Sequence, residues 1–281
     1  MLKSKFLFKV YYIGTEEYYG SQRQPNLMTI EDSILDALKE RGYIQDFEQS
    51  KFEFASRTDR FVSARGACFT SIIEKNPILM ELNTALPKEI GIWAYSEVPL
   101  EFTSRYGAIL RHYVYIVPLP ISYFRKTSGI DIDLMKRACK DLEGHHNFAN
   151  FSKNEDRKKN TIRDMDLVNL STHNDYIVFQ FKSKAFLRQQ VRRMVKKILE
   201  VGTNEITYKE FLDLFDVSKN ISYQPADPNG LILWDIKFHE NVHFNVDLKS
   251  KEKMEKYFMK KKLDYSLKYQ LFRALQQDDF S

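Results

Sequence analysis

Apolar residues alternate with polar ones in several short segments of the chain, and this period of two predicts β-strands. Residues 6–12 show the first such pattern. Thr29, followed three residues later by Asp32, predicts the start of a helix that Gly42 ends. The predicted elements of the first half follow the order strand, helix, strand, strand, helix, strand, at residues 6–12, 29–42, 52–55, 67–73, 78–86 and 91–98.

The second half repeats this order with one additional helix. Asp133 predicts a helix start, and Thr207 with Glu210 predicts another. The strands are predicted at residues 111–117, 162–170, 175–183 and 231–238, and the helices at 133–144, 186–201 and 207–215. The pattern therefore predicts an α+β fold made of two similar split βαβ halves, whose mainly antiparallel sheets are joined across a central cleft. We place the domains at residues 1–107 and 108–242.

The last segment, residues 243–281, differs from both halves. It contains nine Lys or Arg and six Asp or Glu, with apolar residues at helical spacing. We predict a basic helical tail. Three roles stay open for it: a solvated helix, a helix packed on the body, or an extension that reaches a substrate.

Composition limits the class of protein. In 281 residues, 43% are hydrophobic, which is enough for a substantial core, and the net charge of +5 permits a polyanionic partner. The longest apolar runs are shorter than the about 18 residues that span a bilayer, so we expect no membrane association and, without a secretory signal, a cytoplasmic protein. Cys68 and Cys139 are far apart and predict buried thiols rather than a disulfide or a zinc site.

One short run carries the candidate chemistry. Asp59 lies between Arg57 and Arg60, directly after a predicted strand. A carboxylate placed between cations in a loop on a rigid sheet can be a reactive centre, but it can equally be a loop-stabilising ion pair. The adjacent histidines His145 and His146 have no third ligand at metal-site spacing, so we expect no metal.

Arg57-Thr58-Asp59, followed by Val62 and Ala64, resembles the signature of the TruA-type tRNA pseudouridine synthases. Six further segments resemble motifs of this family in the same order, at residues 19–24, 102–105, 111–115, 144–151, 186–192 and 230–231. Each motif alone is weak. Their common order over roughly residues 5–240 makes the resemblance specific.

The resemblance implies that Asp59 is the catalytic carboxylate of an isomerase that converts uridine to pseudouridine without a cofactor. Asp59 would act as a nucleophile or as a base. Arg192, together with Arg57, would keep it ionised, and Tyr113 would stack on the target base.

The resemblance also implies a substrate and an assembly. The family acts on tRNA uridines at positions 38, 39 and 40 of the anticodon arm and works as a homodimer. Arg105 and Arg23 would contact the substrate. The basic segments 157–163 and 188–197 are either solvated surfaces or further phosphate contacts. The alternative is a non-catalytic RNA-binding protein on the same scaffold.

Several positions depart from the family pattern. Arg60, Phe61 and Ser63 replace residues that follow the aspartate, and Ser21 replaces a tryptophan. Two further departures are Lys196 and Asn229. We expect substrate choice to differ around residues 60–63.

Overall fold

One mixed sheet dominates the computed structural model, which describes residues 3–153 and 160–277. Its ten strands are β1 (Ser4–Tyr12), β2 (Glu53–Phe54), β3 (Ser63–Ile73), β4 (Ile90–Val98), β5 (Ala108–Ile116), β6 (Gly144–Asn147), β7 (Ile162–His173), β8 (Tyr176–Ser183), β9 (Leu231–Phe238) and β10 (Asn245–Val246). Their order across the sheet is β10-β4-β1-β3-β9-β5-β8-β7-β6, and β2 pairs with β3 outside this path.

Eight α-helices belong to the same described part of the chain. They are α1 (Ile30–Glu40), α2 (Leu79–Ala85), α3 (Ser104–Gly107), α4 (Ile121–Lys126), α5 (Ile132–Asp141), α6 (Gln190–Gly202), α7 (Tyr208–Asp213) and α8 (Leu248–Leu275). A single 3₁₀ turn, Pro228–Gly230, precedes β9. Helix α1 packs against α2, and α5 packs against α6. The mixed content confirms the predicted α+β class and the helical tail.

The two halves join through strand β9. It lies between β3 and β5, parallel to β3 through the pairs Ser63↔Ile232 and Ala64↔Leu233 and antiparallel to β5. All other strand pairs in the described residues are antiparallel. The sheet therefore runs continuously from one half to the other. Strand β5 begins at Ala108, next to the proposed domain boundary, and the division itself stays a prediction.

Two of the three helix starts inferred from capping patterns are confirmed. Thr29 and Thr207 both form capping boxes, with Asp32 and Glu210 respectively. The third was misplaced by two residues. Asp131, not Asp133, is the N-cap of α5, because its extended backbone lets its side chain accept a hydrogen bond from the Leu134 amide at 2.8 Å.

The helix predicted from residue 186 begins at Gln190 instead. Gln189 has a φ of 60°, in the left-handed region, and the Gln190 side chain accepts a 2.8 Å hydrogen bond from the Leu187 amide. Together these features close a turn before the helix. Phe186 consequently lies outside the helix and is free to contact β5.

Helix α8 packs on the body only near its start. The Asp247 amide donates to the Trp93 carbonyl at 3.1 Å, Met254 is buried, and Tyr257 and Phe258 contact the Tyr11 ring. Beyond Phe258 the large apolar side chains are exposed. The predicted tail is thus a helix that is docked at one end and solvated at the other.

Both cysteines, Cys68 and Cys139, are free and buried, as predicted. Burial raises the pKa of each thiol to about 12, so neither is a reactive thiolate at neutral pH. Across residues 3–153 and 160–277, no helix combines the length and apolar character needed to cross a membrane.

The two capping boxes differ in burial, and this difference predicts different stability losses. Replacing Thr207, which is exposed, with Ala should cost about 1 kcal/mol of unfolding free energy. Replacing Thr29, which is fully buried, with Ala should cost about 2 kcal/mol, because the partly buried Asp32 amide also loses its acceptor. Urea unfolding measures both losses, and equal losses would contradict this interpretation.

Candidate active site

Asp59 lies in a tight turn between β2 and β3. The Val62 amide donates to the Asp59 carbonyl at 3.2 Å and closes the turn. Phe61 has a φ of 68°, a left-handed conformation that is uncommon for an aromatic residue and costs energy. The turn therefore holds a strained backbone immediately after the candidate carboxylate.

Loop 13–29 anchors this turn from one side. The Ser21 hydroxyl accepts a hydrogen bond from the Thr58 amide at 2.8 Å, and the Ser21 amide donates to the Thr58 carbonyl at 3.1 Å. The Thr58 and Tyr12 hydroxyls are 2.8 Å apart, and Tyr12 is fully buried. Ser21, one of the departures from the family pattern, is thus an internal anchor of the Asp59 loop.

Glycine permits the close approach of the two loops. Gly20 has a φ of +93°, and a Cβ at this position would lie 2.8 Å from the Thr58 carbonyl oxygen. At Gly14 a Cβ would lie 2.2 Å from the Phe61 carbonyl group. A side chain at either position would push the loop away from the turn that carries Asp59.

Of the two arginines beside Asp59, Arg60 is held by the neighbouring loop. Its guanidinium donates to the Glu16 carbonyl at 2.9 Å and lies 4.0 Å from the centre of the Tyr19 ring and 4.7 Å from that of Phe61. Arg57 is exposed. Its predicted role of holding Asp59 stays a prediction.

The cation that contacts Asp59 comes from the second half of the chain. Arg192 Nη1 donates to Asp59 Oδ2 at 2.8 Å, and Arg192 Nε donates to the Ala226 carbonyl at 2.7 Å. The Ala226 amide returns a 3.1 Å hydrogen bond to the Arg192 carbonyl. The Arg192 side chain is 10% exposed and that of Asp59 36%, so a fixed guanidinium holds a carboxylate that solutes can still reach.

Tyr113 of β5 lies against the same loop. Its hydroxyl is 2.9 Å from the Ser56 hydroxyl, and its ring makes an edge-to-face contact with Phe186, with ring centres 5.1 Å apart. Burial raises the pKa of Tyr113, so the phenol is neutral at physiological pH. Tyr113 is only 5% exposed, and its predicted role of stacking on a base stays a prediction.

Arg111 is a structural residue of the site that the sequence interpretation missed. It is 6% exposed, and it donates to the Ala55 carbonyl at 2.7 Å, to the Arg105 carbonyl at 2.9 Å and to the Lys184 carbonyl. It therefore ties the start of the Asp59 loop to the segment that carries Phe186. Arg111 belongs to the 111–115 motif, which could have identified it as a residue of the site, but only Tyr113 was assigned a role in that motif.

Two other predicted substrate contacts, Arg23 and Arg105, have side chains with neighbours of their own, although the Arg105 carbonyl accepts a hydrogen bond from Arg111. Arg23 pairs with Asp32 at 3.0 Å and lies over the Phe47 ring, at an open groove of about 610 Å³. Arg105 is exposed and lies near the Tyr106 ring. In α6, both Lys196 and Lys197 pair with Glu200, and this carboxylate neutralises part of the positive charge of the helix. Of the basic segment 157–163, residues 157–159 lie outside the described residues.

The adjacent histidines both have protein partners. His145 Nδ1 is 2.6 Å from Asp164, and His146 Nε2 is 2.7 Å from the Glu143 carbonyl. Within residues 3–153 and 160–277, no group of three or more His, Cys, Asp or Glu side chains is arranged to hold a metal ion.

A reachable carboxylate held by a buried arginine, beside an aromatic ring and between two α+β halves, is typical of enzymes that use nucleophilic or acid–base chemistry. A family profile described as tRNA pseudouridine synthase matches residues 138–239. Proteins named tRNA pseudouridine synthase A are similar over most of the chain.

The relative from Methanothermobacter thermautotrophicus is 33% identical over 86% of this chain and 84% of its own length. Those from Methanosphaera stadtmanae and Pyrococcus furiosus are each 35% identical, over 90% and 88% of both chains respectively. The chain belongs to the tRNA pseudouridine synthase family and is an isomerase, which confirms the resemblance found in the sequence.

The Gly20 contact predicts a specific defect. Gly20→Ala should lower isomerase activity at least about 10-fold, because its Cβ would displace Thr58 and thereby move Asp59 by an appreciable fraction of an ångström. Gly42→Ala is the matched control. It has a similar positive φ of +67° but nothing within 4 Å of its Cβ, so it should cost stability without lowering activity. Similar activity losses in both variants would show that backbone strain, not contact with Thr58, is responsible.

Proposed function

We propose that this chain converts uridine to pseudouridine in tRNA, at positions 38, 39 or 40 of the anticodon arm, with Asp59 as the catalytic carboxylate. The observation that carries the proposal is the 2.8 Å bond between Asp59 and Arg192, residues that resemble the family's catalytic motifs and meet between the two halves. Family membership supports the reaction class.

The reaction breaks the bond between uracil N1 and ribose C1′ and forms a bond between uracil C5 and the same C1′. The C5 proton is lost and N1 is left bearing a hydrogen, so atoms balance without a redox cofactor or ATP. An ionised Asp59 is required whether it attacks as a nucleophile or removes a proton from the sugar as a base. Arg192 supports the ionised form by a charge-assisted hydrogen bond.

A uridine in a stem or stacked loop must leave its stack to reach Asp59, at a cost of a few kcal/mol. We propose that Tyr113 contacts the extruded base and that Arg57 and Arg105, both exposed, bind flanking phosphates together with Arg23. These contacts would offset part of the cost of extrusion.

We further propose a homodimer located in the cytoplasm, with residues 1–107 and 108–242 forming the two walls of the cleft. Family resemblance and the free, buried cysteines support this assignment. Analytical ultracentrifugation of the purified protein tests the dimer.

Asp59→Asn should abolish pseudouridine formation while changing tRNA affinity less than about 3-fold, because the amide keeps the shape but cannot act as nucleophile or base. Tritium release from C5-labelled tRNA measures activity, and filter binding measures affinity. Asp235→Asn is the control: this aspartate also pairs with a cation, Lys9, but outside the site. Near wild-type activity of Asp59→Asn would refute Asp59 as the catalytic carboxylate. A wild-type protein that binds tRNA but releases no tritium would favour the non-catalytic RNA-binding alternative.

Arg192→Ala should lower kcat about 100-fold or more, with a much smaller change in tRNA affinity. An ion pair exposed at a surface contributes about 0.2–1 kcal/mol to the free energy of unfolding, and loss of one partner of a buried ion pair costs about 3–5 kcal/mol. The side-chain exposures of 10% for Arg192 and 36% for Asp59 place the contribution of this pair between those limits.

Arg192→Lys keeps the charge but cannot bind Asp59 and Ala226 together as the planar guanidinium does, so it should restore activity only in part. Equal losses of activity and affinity in Arg192→Ala would instead identify Arg192 as a phosphate contact.

A further inference from the structure

Helix α8 has a direction that matters for the site. It starts beside Trp93, and three turns later the Tyr257 hydroxyl lies 3.5 Å from Glu89. The helix therefore runs opposite to β4, toward the end of the sheet where β4 begins. Because β1 is antiparallel to β4 and to β3, that end is also where β1 enters loop 13–29 and where β3 emerges from the Asp59 turn.

The second part of α8 extends past the body at this end. Phe258 is the last side chain in contact with Tyr11, and seventeen helical residues follow it, up to and including Leu275. At 1.5 Å per residue, this part of the helix is about 25 Å long. We call residues 259–275 the arm.

The net positive charge of the chain is concentrated in this helix. Residues 248–275 contain nine Lys or Arg and three Asp or Glu, a net charge of +6, whereas the whole chain carries +5. The remainder of the molecule is thus close to neutral. A polyanion would meet its main electrostatic attraction at α8 rather than at the sheet.

Aromatic side chains on the arm lie among these cations. Tyr265, Tyr269 and Phe272 are spaced by four and three residues, so they share one helical face, and all three are exposed. The Lys268 ammonium lies 5.8 Å from the centre of the Tyr265 ring. Exposed aromatic rings beside lysines are suited to stacking on unpaired bases while the ammonium groups bind phosphates.

We propose that the arm binds tRNA outside the nucleotide that enters the cleft, an inference that rests on the proposed function. Charge complementarity favours RNA over a second copy of the chain, since two α8 helices of +6 each would repel. The feature that would suit self-association is a row of exposed leucines at four-residue spacing, at positions 263, 267, 271 and 275.

The test compares two charge-matched variants of the full chain. The arm variant is Lys261→Gln/Lys262→Gln/Lys268→Gln. The control, Lys249→Gln/Lys251→Gln/Lys256→Gln, removes the same charge from the docked part of the same helix. Affinity for full-length tRNA is measured between 50 and 200 mM salt. For two or three lost phosphate contacts, the arm variant should bind about 10-fold more weakly at low salt, with a salt slope smaller by about 2 to 3 and an unchanged kcat at saturating tRNA. The control should stay much closer to the wild type.

A second variant separates stacking from charge. Tyr265→Ala/Tyr269→Ala should weaken tRNA binding several-fold and leave the salt slope unchanged, because stacking on bases releases no counterions. Unchanged affinity in both arm variants would overturn the proposal, as would equal losses in the arm and control lysine variants.

Sedimentation velocity on the same variants tests whether the arm binds a second copy of the chain instead. Loss of an oligomer in the arm variants, with tRNA affinity per protomer unchanged, would assign the arm to self-association. A wild-type protein that binds tRNA but forms no pseudouridine would refute the proposed function, and the binding measurements would still decide the role of the arm.

Discussion

The bond between Arg192 and Asp59 joins residues 133 positions apart and links the two halves of the fold. Each partner is fixed independently: Ala226 holds the guanidinium, and the Ser21–Thr58 contacts hold the turn that carries the carboxylate. The two side chains therefore lose little conformational freedom when they form the ion pair. That pre-organisation is what a carboxylate needs if it is to react with a substrate rather than reorganise around it.

Much of the architecture could be predicted from local pattern. The first and last strands of the two halves, the two capping boxes and the basic tail follow from periodicity and capping residues. The errors arose where non-local or unusual backbone geometry decides. Gln189 in the left-handed region delays α6, and no periodic pattern reveals such a residue.

The site was predictable to a similar, limited depth. Motif order placed Asp59 and Arg192 in one site. The sequence also suggested that Arg60 lies beside the Asp59 carboxylate, but two residues that are adjacent in sequence can direct their side chains to different places. Arg60 instead stacks on Tyr19, and Ser21 became a buried anchor. Arg111 could not be recognised, since its acceptors are backbone carbonyls from three separate segments, which carry no side-chain identity.

The parallel pairing of β9 with β3 has a consequence for how a large ligand is accommodated. The pairs Ser63↔Ile232 and Ala64↔Leu233 lie directly after the Asp59 turn, so the backbone hydrogen bonds that unite the halves sit at the floor of the cleft. A hinge motion that separates the two halves would have to break these backbone hydrogen bonds. The junction between the halves is therefore stiff, and a large ligand meets a shape that is already set.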